Sequence, residues 1–169
     1  ILNRAVESYL NRNETDSAIK LLDSAYGADG VGDDDLWNSE WKLISHFRSG
    51  GQDARARARI EHAIKTTRSK LLLIKMQWFL ARITEESGDS KKAAQQCDKI
   101  LSEIESLTGL DGRTREILAS NALLMKARCL EAEADTAGDN AATEAYKLLR
   151  EKYPSTDAAK VSYLYQART

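Results

Sequence analysis

Along this chain an alanine is repeatedly followed, four and seven residues later, by further apolar side chains. The sets are Ala18, Leu22 and Ala25; Ala56, Ile60 and Ala63; Ala93, Cys97 and Ile100; and Ala142, Tyr146 and Leu149. Residues spaced four and then three apart share one face of a helix. The leading alanines are separated by 38, 37 and 49 residues. A period of that size marks stacked helix pairs, because one hairpin cannot bury its own apolar face and its neighbours must complete the core. The small alanine lets two antiparallel helices approach closely, and the two residues after it fill the space alongside.

The stretch from Asn140 to Arg168 shows the pattern most fully. Its helix ends at Tyr153-Pro154, since a proline disfavours the helical conformation of the residue before it and has no N–H to donate. Ser155 or Thr156 then caps a new helix, with Asp157 placing negative charge at its positive end. One proline in the whole chain, with much Ala, Leu, Glu, Lys and Arg, favours helix throughout. With 42% apolar and 30% charged residues the composition is that of a water-soluble domain, and no apolar run approaches the ~20 residues of a membrane span. The chain begins at Ile1, within a helical pattern and without a Met, which reads as a mature or excised fragment of a longer protein.

Read in order, a first helix over 2–11 carries Ala5, Val6, Tyr9 and Leu10, Asn13 makes the turn, and Thr15 or Asp16 opens the second. Gly27 to Asp35, with three glycines and four aspartates, reads as a loop. A third helix over 36–48 carries Trp37, Trp41, Leu43, Ile44 and Phe47, and Gly50-Gly51 stop it; a fourth begins at Asp53. The fifth, over 69–87, is apolar on so much of its circumference that it packs on several sides. Gly88-Asp89 turn the chain and Ser90 caps the sixth; Gly109 to Gly112 break before a seventh over 113–135. Gly138-Asp139 lead into the eighth, and a ninth closes the chain.

The alanine-led pattern, with Leu80 and Ala81 in a first helix, Gly88 at the turn, Ala93 in the second helix and Pro154 after Leu149, resembles the tetratricopeptide repeat. The resemblance covers nearly the whole length. It implies an all-α, antiparallel helix-pair solenoid in one domain, 1–169. Its units would span about 1–26, 36–66, 69–106 and 113–153, followed by a closing helix over 155–168. The junction Tyr153-Pro154-Ser155-Thr156-Asp157-Ala158-Ala159 is similar to inter-repeat junctions of bacterial envelope assembly proteins, which implies a bacterial periplasm or cell-envelope location.

The family geometry lines a concave groove with first helices. It places Asn38, Trp41 and Arg48 on the inner face, then Lys75, Trp78 and Arg82, then Asn121, Leu124 and Arg128. Polar, bulky and basic residues thus recur in three units. Asparagine can donate to and accept from a peptide backbone, tryptophan offers apolar area and a stacking face, and arginine pairs with carboxylates in two-point fashion. The lysine and asparagine pattern of chaperone-tail clamps is absent from these positions.

The remaining charged and ligand-type residues read as having simpler roles. Between Asp53 and Arg82 lie eight basic residues and two acids, but the Arg55, Arg57, Arg59 run winds round a helix instead of forming one stripe. A solvated convex surface accounts for it better than nucleic-acid binding. Asp29, Asp33, Asp34 and Asp35 lack the spacing and closing glutamate of a calcium loop. His46 and His62 have no third ligand or nucleophile in register, and no phosphate loop or nucleophile elbow occurs. Cys97 sits in a core slot and reads as a buried thiol, with Cys129 similar and a disulfide between them left open. The expectation is a non-catalytic scaffold, without metal or cofactor, that binds a protein or peptide in its groove. The alternative is a structural segment of a larger multidomain protein or envelope assembly, packing through its ends.

Overall fold

The computed structural model describes residues 1–133 and 138–166. These are helical, without a strand: α1 (Leu2–Asn11), α2 (Thr15–Ala25), α3 (Asp33–Ser49), α4 (Asp53–Thr66), α5 (Lys70–Glu86), α6 (Ser90–Ser106), α7 (Gly112–Ala132), α8 (Gly138–Lys152) and α9 (Asp157–Gln166). The chain divides into two compact units, Ile1–Leu80 and Ala81–Thr169, with the division inside α5. The expected end of the seventh helix at Asp135 and of the closing helix at Arg168 lie outside the described residues.

In the first unit α1 packs on α2 and α3, and α3 packs on α2 and α4. Val6, Leu22, Leu43, Ile44, Phe47 and Ile60 are fully buried there. Asn13 makes the α1–α2 turn with φ 59°, a left-handed conformation that asparagine tolerates better than most side chains. Lys42 of α3 pairs with Glu7 of α1.

In the second unit α6 packs on α7, α7 on α8 and α9, and α8 on α9. Leu123 and Ala127 of α7, Ala145, Tyr146 and Leu149 of α8, and Ala158 and Ala159 of α9 form one core cluster. Arg115 of α7 closes the C-terminus of α6 by donating to the Ile104 carbonyl and, at 2.5 Å, to the Leu107 carbonyl. The Ile104 carbonyl otherwise accepts a long bond from the Leu107 N–H at 3.4 Å, and a cation there also meets the negative end of the helix dipole.

All twelve positions of the four alanine-led sets are buried, as the spacing predicts. The starts of two helices, α3 and α6, differ from this reading. Asp33, Asp34 and Asp35 form the first turn of α3 and not part of the loop, so the irregular segment ends at Gly32. Three carboxylates on the positive end of a helix outweigh their poor intrinsic propensity. Asp89, not Ser90, caps α6: its side chain accepts the Lys92 N–H, and Ser90 is the first helical residue, buried. α4 begins at Asp53 as expected, with Gln52 in the N-cap position. Thr156 caps α9, accepting the Ala159 N–H at 3.3 Å.

Because Ala93 has no exposed surface, Ala93→Leu is expected to overpack its surroundings and lower stability by about 1–3 kcal/mol. Urea denaturation followed by circular dichroism checks this, and an unchanged midpoint would show that the alanine does not set a helix–helix distance.

Candidate functional site

The sequence places ligand-facing residues on first helices, and the structure gives them unequal surroundings. In the first unit, Asn38 is exposed on α3, while Trp41 and Arg48 are half-buried. Trp41 is stacked on Phe79 of α5, with centroids 4.5 Å apart and planes 22° from parallel. Trp37, one turn earlier on α3, lies 5.5 Å from Trp41 and 6.0 Å from Phe79. Lys75 reaches over Trp37 at 5.7 Å and pairs with Asp34 at 2.9 Å. Trp78, beside Phe79, is half-buried. Trp41 is therefore one wall of an aromatic cluster tying α3 to α5. Trp37 and Phe79 belong to that cluster although the groove pattern omits them. The i, i+4 pair Trp37 and Trp41 was the available signal.

The first unit also holds a buried ion pair. Arg59 of α4 and Glu40 of α3 have side chains 5% and 0% exposed. The Arg59 Nε donates to both Glu40 oxygens, at 3.1 and 2.8 Å, and a terminal nitrogen donates at 2.5 Å. Its other terminal nitrogen donates to Asp23 of α2 at 2.6 Å. The Tyr26 hydroxyl donates to Glu40 at 2.9 Å, and His62 stands 3.2 Å from Asp23. Burial opposes the Arg59 charge, but the bonds from Glu40 and Asp23 outweigh it and hold the guanidinium above its ordinary pKa. Burial, then the Glu40 charge, pushes the Tyr26 phenol up. The solvated convex role expected for Arg59 is thus overturned: three helices converge on its fork. Arg55, by contrast, is exposed and lies over Phe47 at 4.5 Å.

In the second unit Arg82 pairs with Glu86 one turn along α5 at 3.0 Å. Leu124 packs against the α7–α8–α9 core and is not a free groove residue. Arg128 pairs with Glu85 of α5 at 2.9 Å and covers the Tyr165 ring of α9 at 5.0 Å. Asn121 is exposed and lines a cleft of about 480 Å³ between the N-terminal halves of α7 and α9. Arg113, Glu116, Ile117 and Ser120 line its α7 side, and Thr156, Asp157 and Lys160 the other. Ile117 is 46% exposed there. Arg113 and Asn121 have no side-chain partner among the described residues, whereas Lys160 pairs with Asp157 at 3.3 Å.

Cys97 and Cys129 are both buried and both free thiols. Burial pushes both up, Cys129 to about 12, so neither supplies a thiolate nucleophile near neutrality. Among the described residues no three His, Cys, Asp or Glu side chains are grouped to hold a metal ion, and no helix is long and apolar enough to cross a membrane. No protein-family model, curated protein or solved structure matches the chain.

Two expected outcomes follow from these charges. Removing one member of the buried pair, as in Arg59→Ala, leaves Glu40 uncompensated and lowers stability by about 3–5 kcal/mol, whereas replacing both with Met recovers most of the loss. Denaturation of both single variants and the double variant measures it, and a double-variant loss equal to the sum of the single losses would show that the pair is not coupled.

The second concerns Glu85, whose side chain is 12% exposed. Burial raises its pKa above the ordinary 4.5, Arg128 and Arg82 oppose, and Glu86 adds to the rise. Cys97 and Cys129 are the other titratable groups facing it. The folded state therefore holds this proton more tightly than the unfolded chain. Its contribution is fully present below 4.5 and is lost as pH rises through the raised value. Glu85→Gln should remove that component, so the difference in stability between parent and variant shifts toward the variant as pH rises to neutrality. A pH-independent difference would contradict it.

Proposed function

We propose that the chain is a helical-repeat interaction module of the tetratricopeptide type, a non-catalytic scaffold that holds a peptide or a partner helix against the face of its first helices. The burial of all four alanine-led sets carries this reading. The second helices devote those positions to packing, while Asn38 of α3 and Asn121 of α7 are exposed and Trp41, Lys75, Trp78 and Arg82 are partly accessible.

The α7–α9 cleft supports a peptide ligand in chemical detail. Ile117 offers an apolar seat, the Asn121 carboxamide matches a peptide group, and Arg113 suits one carboxylate. Glu116 and Asp157 on the same rim disfavour a polyanion such as nucleic acid.

A second reading, a structural segment packing through its ends, draws on α9. Val161, Tyr163 and Leu164 are 38%, 63% and 65% exposed there.

One experiment addresses both. Peptides selected from a displayed random library against the whole chain are expected to lose about 2 kcal/mol or more of affinity on Ile117→Asp or Asn121→Ala, with the melting curve retained. Lys92→Glu, exposed on α6, should leave affinity unchanged. Loss of affinity on Leu164→Asp instead, with Ile117→Asp silent, would displace the groove reading in favour of the second.

A further inference from the structure

The described chain contains two Asp–Gly bonds, Asp29–Gly30 between α2 and α3 and Asp111–Gly112 at the start of α7. Such a bond is chemically weak. Glycine has no side chain to shield its amide nitrogen, so that nitrogen can approach the aspartate Cγ closely.

The fold gives these two bonds opposite surroundings. Asp111 is the N-cap of α7, and its Oδ1 accepts the Thr114 N–H at 2.9 Å. That bond orients the carboxyl toward the helix, and the Thr114 side chain together with its N–H lowers the Asp111 pKa below the ordinary value. A carboxylate so held is a poor electrophile, and Gly112 is already fixed as the first residue of the helix. Asp29 is exposed, and its carboxylate has no partner among the described residues. Gly30 sits at φ 81°, with nothing within 4 Å of where a Cβ would stand. Its N–H donates no backbone hydrogen bond, and the turn around it is closed by a single long bond, Val31 N–H to the Ala28 carbonyl at 3.4 Å.

We infer that Asp29–Gly30 is a site of spontaneous isomerisation through a cyclic imide, and that its cap protects Asp111–Gly112 from the same reaction. The Gly30 nitrogen attacks the Asp29 Cγ and a nitrogen–Cγ bond forms. The amide proton and the carboxyl hydroxyl leave together as water. Water then opens the five-membered ring at one of its two carbonyls. Cleavage at Cγ restores aspartate. Cleavage at the main-chain carbonyl leaves the chain running through the side chain, as isoaspartate with a free α-carboxylate. The water lost is regained, so no oxidant, metal or cofactor takes part.

The consequence is local and structural. The backbone gains one methylene between Ala28 and Gly30. Gly27, Ala28 and Val31 of this loop, with Thr66 to Ser69, line a cavity of about 440 Å³. Asp33 lines that cavity as well and accepts a hydrogen bond from the Ser69 hydroxyl. The modified loop is also a substrate for enzymes that methylate isoaspartyl carboxylates with a sulfonium methyl donor.

The test uses the intact chain, aged in warm, mildly acidic buffer. It is then labelled by an isoaspartyl methyltransferase with radioactive methyl donor and mapped by mass spectrometry. The native chain should accumulate label, and a species lighter by one water, at Asp29 and stay at background at Asp111. In urea, where the cap is lost, the two sites should react at equal rates. Asp29→Glu, which would require a six-membered ring, should abolish the native signal while leaving the melting curve unchanged. Equal labelling of both sites in the folded chain would overturn the proposal. So would an unlabelled Asp29 in the folded chain beside labelling of both sites in urea.

Discussion

The complete or near-complete burial of Ala18, Ala56, Ala93 and Ala142 is the constraint on which the remaining packing depends. Packed helix axes lie about 8–10 Å apart, and the side chain at the crossing sets where in that range they settle. With a methyl group at each of these buried positions, the residue four positions later varies widely: Leu22, Ile60, Cys97 and Tyr146 are all buried in that slot. Tyr146 shows how far the tolerance extends, since its ring is 2% exposed while its hydroxyl donates to Glu131 at 2.6 Å. The alanine is fixed by geometry. Its neighbour is fixed only by the volume left over.

A uniformly apolar seam of this kind specifies distance better than register, because one aliphatic contact can be exchanged for the next. The fork of Arg59 is less forgiving. A planar guanidinium satisfies Glu40 and Asp23 together only when α2, α3 and α4 hold one relative register. Pairing two buried charges contributes little net stability over apolar residues of the same volume. Its value here is that a slipped arrangement would strand Glu40, which has no exposed surface.

Much of the fold was legible in the sequence because helix periodicity survives one-dimensional reading. The bounds of α1 and the burial of every alanine-led set follow from spacing alone. Asp33 to Asp35 misled because aspartate beside glycine has loop composition, while the stabilising field of a helix N-terminus exists only once the helix has formed. Arg59 was hidden for a different reason. It sits in an alternating Arg–Ala run, and its partner Glu40 lies 19 residues away, so only tertiary structure brings them together. The groove residues on α7 were read least well. Ala119, Ala122, Leu123, Met125, Ala127 and Cys129 are all buried, so apolar residues surround much of that helix. Periodicity then cannot show which face meets solvent, and Leu124 was placed outward although it packs on the core.

The cations on the first helices differ in what a ligand would have to displace. Arg82 and Glu86 are 40% and 35% exposed, so their pair contributes roughly 0–1 kcal/mol. Arg128 faces Glu85 at 12% exposure, and drawing it away would leave a carboxylate that burial already disfavours as an ion. Its contact with Tyr165 would be lost as well. Arg128 is therefore a staple between helices, although the repeat geometry places it among the ligand-facing residues. Arg113 has no such obligation, since nothing among the described residues pairs with it. On the proposed scaffold role, selectivity for a carboxylate in the second unit thus falls to Arg113, one turn before Ile117 and two before Asn121, a stripe along α7 that ends where the helix becomes core.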